Sequence, residues 1–144
     1  MATTVAGLLE NKGHDVWSIA PDATVYDAIS RMAEKGVGAL LVLDGERLVG
    51  IISERDYARK VILKDRSSKD TVVSTIMTRD VLTVRPSQSI EQCMALMTDR
   101  HIRHLPVVEN GRVVGILSIG DLVKDIIADR EYLIQQLEGY ITGR

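Results

Sequence analysis

The sequence predicts an α/β fold made of two pseudo-symmetric β-α-β-β-α repeats packed face to face. Three observations carry that reading. Residues 16–61 and 81–126 align at a constant offset of 65 over 46 positions without an insertion. Eleven of those positions are identical: Val16/Val81, Pro21/Pro86, Met32/Met97, Leu40/Leu105, Val42/Val107, Arg47/Arg112, Val49/Val114, Gly50/Gly115, Ile51/Ile116, Ser53/Ser118 and Asp56/Asp121. Each copy also holds one stretch with apolar residues at helical spacing and a pair of apolar runs around a glycine turn. An internal repeat sets the architecture before any residue is read singly. A unit this short buries too little surface to be stable alone, so the two halves are expected to pack together.

The elements follow in order. An N-terminal segment, 1–15, precedes the first repeat, 16–63. Val16–Ile19 is a short extended segment stopped by Pro21, and Val81–Val84 with Pro86 is its counterpart. Thr24-Val-Tyr-Asp27 and Ser89-Ile-Glu-Gln92 are capping boxes in one register, with a hydroxyl to take an orphan amide and an acid or amide to reach back. The helices they open are apolar at Val25, Ala28, Ile29 and Met32, and at Ile90, Cys93, Met94 and Met97, which is one buried face each. Ala39–Leu43 and Leu48–Ile52 flank Asp44-Gly45, and His104–Val108 and Val113–Leu117 flank Asn110-Gly111. Such pairs are strong hairpin signals. The turns are displaced by one position, so the tips should differ in detail.

A helix over roughly Arg55–Leu63 closes the first repeat. A mostly polar linker, 64–80, leads to the second repeat, 81–138, whose last helix is extended over roughly Asp121–Glu138 with Gly139 as its stop. That helix keeps an apolar stripe through Val123, Ile126, Ile127, Leu133, Ile134 and Leu137. It either packs on the N-terminal segment Val5–Leu9 or forms the seam of a homodimer.

Composition excludes several classes of function. The chain has 144 residues, 45 % apolar and 26 % charged, an ordinary globular balance. A formal charge of −2 and five scattered aromatics disfavour nucleic acid as a partner. No apolar run reaches the roughly 18 residues that span a bilayer, and no secretory leader is visible. A single cysteine, Cys93, fits a cytoplasmic location and reads as a core residue. Three histidines and one cysteine lack metal-ligand spacing. No nucleophile with base and orienter, and no phosphate loop, is present, so the chain is not expected to be an enzyme.

The closing motifs of the two copies are Gly50-Ile-Ile-Ser-Glu-Arg-Asp56 and Gly115-Ile-Leu-Ser-Ile-Gly-Asp121. Together with the element order they resemble a tandem pair of CBS domains, a Bateman module, over roughly residues 5–138. Ile52-Ser-Glu-Arg-Asp-Tyr-Ala-Arg-Lys60, followed by Ser67-Ser-Lys-Asp-Thr71 and Ile76-Met-Thr78, resembles the small stand-alone bacterial members. The resemblance implies a regulatory module that binds an adenosine-containing ligand in the cleft between repeats and senses energy or redox state. AMP or ATP leads the candidates (ADP beside them), NAD(H) follows, S-adenosylmethionine stands behind, and no metal is implied. The alternatives are a ligand-independent interaction or dimerisation module and an orphan regulatory subunit of an enzyme or transporter.

The same resemblance assigns site residues. Asp56 and Asp121 take the ribose hydroxyls, as an acceptor-only carboxylate can; the structural alternative is a helix N-cap. Ser53 and Ser118 offer a hydroxyl beside free helix amides, a seat for phosphate or simply a cap. The adenine wall is implied at Ser18, Ala23, Val37, Gly38 and Ala39, and at Thr83, Gln88, Ile102, Arg103 and His104, though the Val and Ile positions read equally well as plain core strand. Arg103 and His104 head a strand where relatives place a basic pair toward phosphate, here expected to serve the ligand of Asp56; otherwise they are a surface pair. Arg55, Arg59 and Lys60 add positive charge around the first motif, where the second copy has Gly120, Lys124 and Asp125, and helix-surface charges of this kind are often merely solvated. Lys69 is a weaker candidate of the same kind.

Overall fold

A computed structural model describes residues 4–141, and side chains as far as 139. In chain order the elements are α1 (Val5–Lys12), β1 (Ser18–Ile19), α2 (Val25–Lys35), β2 (Ala39–Asp44), β3 (Arg47–Ser53), α3 (Glu54–Lys60), a 3-10 turn (Ile62–Lys64), α4 (Val73–Ile76), α5 (Ile90–Arg100), β4 (His104–Glu109), β5 (Arg112–Ser118) and α6 (Ile119–Ile141). They fall into two units. One holds the first repeat, from Asp15 to Leu82, with the hairpin tip Asn110–Val113; the other holds the chain up to His14, Thr83–Glu109 and Val114 onward.

In the first-repeat unit, β1, β2 and β3 form one sheet. β1 runs parallel to β2 and β2 antiparallel to β3, with Ala39 opposite Ser53 and a register shift between Val42 and Leu43. Val25, Ala28 and Met32, three positions of the predicted helical stripe, are buried from α2, and Leu40, Val42 and Ile52 from the sheet. The predicted 64–80 connection contributes Val73, Ile76 and Met77 of α4 and its end to this core. In the other unit α5 buries Ile90, Cys93 and Met97, again on the predicted face, while Leu105, Val107, Leu117 and Leu122 are fully covered.

The structure departs from the sequence reading at three places. The expected extended segment 81–84 is reduced to a single parallel bridge, Val84 to Val107. In the first repeat Leu41 donates to the Trp17 carbonyl, but its counterpart is Pro106, which has no N–H to give. Gly139 does not stop α6, which runs to Ile141; glycine weakens a helix by about 1 kcal/mol without ending it unless it turns left-handed, and Gly139 is not among the positive-φ residues. The N-terminal segment, read only as a packing partner, is itself a helix.

That helix repeats the part α4 plays. Val73 and Ser74 donate to the carbonyls of Ala23 and Pro21; Val5 and Ala6 donate to those of Gln88 and Pro86, the matching positions of the second repeat. Leu9 then stands where Met77 stands. Each repeat is thus completed by an apolar segment that lies outside its own stretch of 46 residues, a relation at offset 68 rather than 65.

Candidate functional site

The two Gly-x-x-Ser-x-x-Asp motifs span the end of one strand and the first turn of the next helix. Both glycines are required by close approach. A methyl on Gly50 would lie 2.6 Å from Met77 Sδ and 2.9 Å from the Thr78 carbonyl; on Gly115 it would lie 2.7 Å from Leu9 Cδ2. The serine, not the aspartate, is the N-cap. Ser53 Oγ accepts from the Asp56 amide at 3.1 Å while Asp56 Oδ2 accepts from the Ser53 amide at 3.0 Å. The second copy reproduces this with Asp121 N to Ser118 Oγ at 3.1 Å and Ser118 N to Asp121 Oδ2 at 2.8 Å. The reading of Asp56 and Asp121 as N-caps is therefore corrected: each sits three residues into the turn, its carboxylate folded back on the cap.

A lysine ammonium sits on each carboxylate. Lys60 Nζ lies 3.1 Å from Asp56 Oδ1 and donates to the Ile76 carbonyl at 2.9 Å. In the second repeat position 60 is matched by Asp125, and the cation comes instead from α1: Lys12 Nζ lies 2.6 Å from Asp121 Oδ2 and 2.6 Å from the Ile116 carbonyl. Sequence reasoning found Lys60 and missed Lys12, because Lys12 lies outside the repeat alignment. The expected concentration of positive charge at the first motif is offset to that extent.

The remaining candidates divide by unit. With Asp56 stand Ser18, whose carbonyl receives Arg31 Nη1; Ala23 and Val37, packed on the core; Gly38, whose carbonyl accepts from the Glu54 amide; and Ala39, buried opposite Ser53. Arg55 and Arg59 are exposed, and Lys69 stacks on Tyr26 at 5.0 Å. With Asp121 stand Thr83, exposed; Gln88, whose Oε1 accepts from the Arg85 amide at 2.8 Å; Ile102, half-buried; and Arg103, whose carbonyl accepts from the Ile119 amide. His104 shares this unit. Burial lowers its pKa, the Asp121 charge opposes that fall, and Lys12 and Arg103 reinforce it. For Asp121, burial pushes upward, but the hydrogen bonds from Lys12 and the Ser118 amide win and its pKa falls below the usual carboxylate range. Cys93 is buried and its thiol pushed up by burial, the behaviour of a core residue. Among the described residues no cluster of histidine, cysteine or acidic side chains could hold a metal ion, and no helix is long and apolar enough to cross a membrane.

A doubled strand–turn–helix with this motif is the mark of one family, and comparison with known proteins agrees. The CBS-domain pattern matches residues 12–63 and 73–128, and the chain belongs to the CBS-domain family as a tandem pair. It is 40 % identical to a mitochondrial CBS-domain-containing protein of Arabidopsis thaliana, CBSX3, over 99 % of this chain and 73 % of the relative. The solved structure of a protein with CBS domains from Burkholderia ambifaria is 55 % identical, covering 88 % of this chain and 96 % of that one, with a TM-score of 0.85. At 24 % identity, a CBS pair crystallised with 5′-methylthioadenosine and S-adenosylmethionine matches with a TM-score of 0.80 over 90 % of this chain and 99 % of its own; that likeness is one of fold. CBS-domain proteins are in general regulatory, non-catalytic modules, and this chain is a regulatory CBS pair.

Proposed function

We propose that the chain is a cytoplasmic sensor of adenine nucleotides, with AMP or ATP as ligand ahead of NAD(H), and Asp56 and Asp121 as the ribose-holding carboxylates. The observation that carries this reading is the doubled motif. In each copy a reciprocal capping box holds the carboxylate at a fixed place beside a strand edge, and an ammonium stands on it. A preorganised carboxylate with an adjacent cation suits a ligand that presents a diol and an anion together. The Ser53 and Ser118 hydroxyls stand against these carboxylates, within the capping boxes that take up their neighbouring amides, and the fold is one that in a CBS pair of like architecture accepts adenosine compounds.

The output is read as a change in the arrangement favoured by bound nucleotide, felt by a protein target. The chain is further read as a homodimer. Of the α6 stripe, Val123, Ile127, Leu133, Ile134 and Leu137 are exposed and Ile126 is half-buried, while Val5, Leu8 and Leu9 of the N-terminal helix are themselves buried. The test is thermal stability against AMP, ADP, ATP, NAD, NADH, S-adenosylmethionine and GTP. A ligand at 100 times its dissociation constant adds about 2.7 kcal/mol, several degrees for a domain of this size. A shift with one adenine nucleotide and none with GTP is expected. No shift with any of them would leave a ligand-independent interaction module.

A further inference from the structure

The second half of α6 lies beyond the stretch that the two repeats share. As far as Asp129 the helix turns one face to its own unit: Leu122 and Asp125 are buried and Ile126 and Asp129 half-buried, at i, i+3, i+4, i+7. From Arg130 to Glu138 every residue is exposed. Tyr132, Leu133, Ile134 and Leu137 are among them, between 46 % and 62 % exposed. A helical stretch this short is marginal in water by itself, and an apolar face of this kind calls for a cover.

We infer that the cover is the same stretch of a second copy, the two α6 helices pairing in parallel and in register as a short coiled coil. This rests on the reading of the chain as a homodimer and specifies its seam. Val123, Ile127, Arg130, Ile134 and Leu137, all exposed, recur at alternating intervals of four and three. That is a heptad seam, with Ile127 and Ile134 at a, and Val123, Arg130 and Leu137 at d. β-Branched residues at a with leucine at d favour two parallel strands. Leu133 flanks the seam at g, while Tyr132, Gln135 and Gly139 fall on the outer b and f positions.

Arg130 argues for the direction of pairing. A charge at d costs stability, as a lone polar seam residue does while it fixes register and strand number. In a parallel pair the e position of each helix borders the d position of the other, so Glu131 stands against Arg130 on both sides of the seam. An antiparallel pair centred on this stretch sets Arg130 against Ile134.

The test puts one cysteine at a time into the full chain, Ile127→Cys, Leu137→Cys or Gln135→Cys, and reads disulfide-linked dimer after mild oxidation. Cys93 is buried and does not compete. A disulfide needs Cα atoms within about 7 Å, so Ile127→Cys and Leu137→Cys should each cross-link to itself, and Gln135→Cys, outside the seam, should not. The two seam positions lie about 15 Å apart along the helix, so no antiparallel pair cross-links both to themselves. Equal cross-linking of Gln135→Cys would report collision and overturn the seam. A disulfide formed only between mixed Ile127→Cys and Leu137→Cys chains, or a dimer that cross-links at neither, overturns the parallel pairing and leaves the homodimer standing. Arg130→Leu gives a second readout: it should tighten dimerisation about tenfold or more in sedimentation analysis, and an unchanged or weaker dimer overturns the register. A chain that stays monomeric at every concentration leaves α6 to a different protein and overturns the homodimer reading, and this one with it.

Discussion

Gly115 has no room for a methyl because Leu9 of α1 lies over it. Gly115→Ala should destabilise by about 1–3 kcal/mol, the usual cost of overpacking, and Leu9→Ala in the same chain should recover part of that loss. Thermal melts of the two single variants and the double check it; strictly additive losses would contradict the contact. Gly50→Ala should cost more, since the Thr78 carbonyl it meets is backbone and cannot swing aside. His104 and Asp121 both bear on the acid response. The folded pKa of His104 lies below its unfolded value of about 6.5, so its contribution is lost as pH falls below that value toward the folded pKa. Asp121, also lowered, contributes above about 3.9 and loses that contribution as pH falls through its folded pKa. His104→Gln should flatten the melting-temperature decline between pH 7 and 5 while sparing the decline below 4; a decline in the upper window identical to wild type would contradict it. At this scale the motif was legible, because identity at Gly50/Gly115, Ser53/Ser118 and Asp56/Asp121 is visible in the alignment. Lys12 was not, since its contact with Asp121 joins residues 109 apart with no matching pair in the other copy.

Helices α2 and α5 show how far local chemistry reaches. Thr24 and Ser89 cap as expected, though only Ser89 completes the box, with Gln92 reaching back to its amide. Both helices end left-handed, on Gly36 in the first repeat and on His101 in the second. A left-handed residue with a side chain is strained, so His101→Gly should raise stability by about 0.5–1 kcal/mol after glycine's entropic penalty. Chemical denaturation reads this directly, and a loss would show that the exposed His101 side chain contributes more than the strain. Hairpin placement was legible from Asp44-Gly45 and Asn110-Gly111, and so was the difference in their tips: Asn110 and Gly111 are both left-handed, whereas in the first repeat the positive φ falls on Gly45. The short first strand of the second repeat was over-read, because alternation and β propensity do not register that the partner position is Pro106. The end of α6 was misread for the converse reason, a glycine taken as a stop where the helix continues.

For the molecule as a whole, the offset of 65 revealed two copies of one unit but not which segment completes each. The α1 and α4 segments are short and individually weak, and their kinship shows only once their hydrogen bonds to 86/88 and 21/23 are seen. Assembly is the property least constrained by a single chain. The α6 stripe predicts that Ile134→Glu with Leu137→Glu, both at exposed positions, turns a dimer into a folded monomer in sedimentation analysis. A dimer that survives both charges would move the seam elsewhere. The proposed function turns on the two carboxylates, and the most direct measurement is calorimetric titration of AMP into the wild-type chain and into Asp56→Asn/Asp121→Asn, with GTP as control. Saturable AMP binding by the wild type, weakened at least about tenfold in the double variant and absent for GTP, is the predicted result. AMP binding of equal strength to both proteins would contradict the assignment of the motif aspartates as the nucleotide-holding groups.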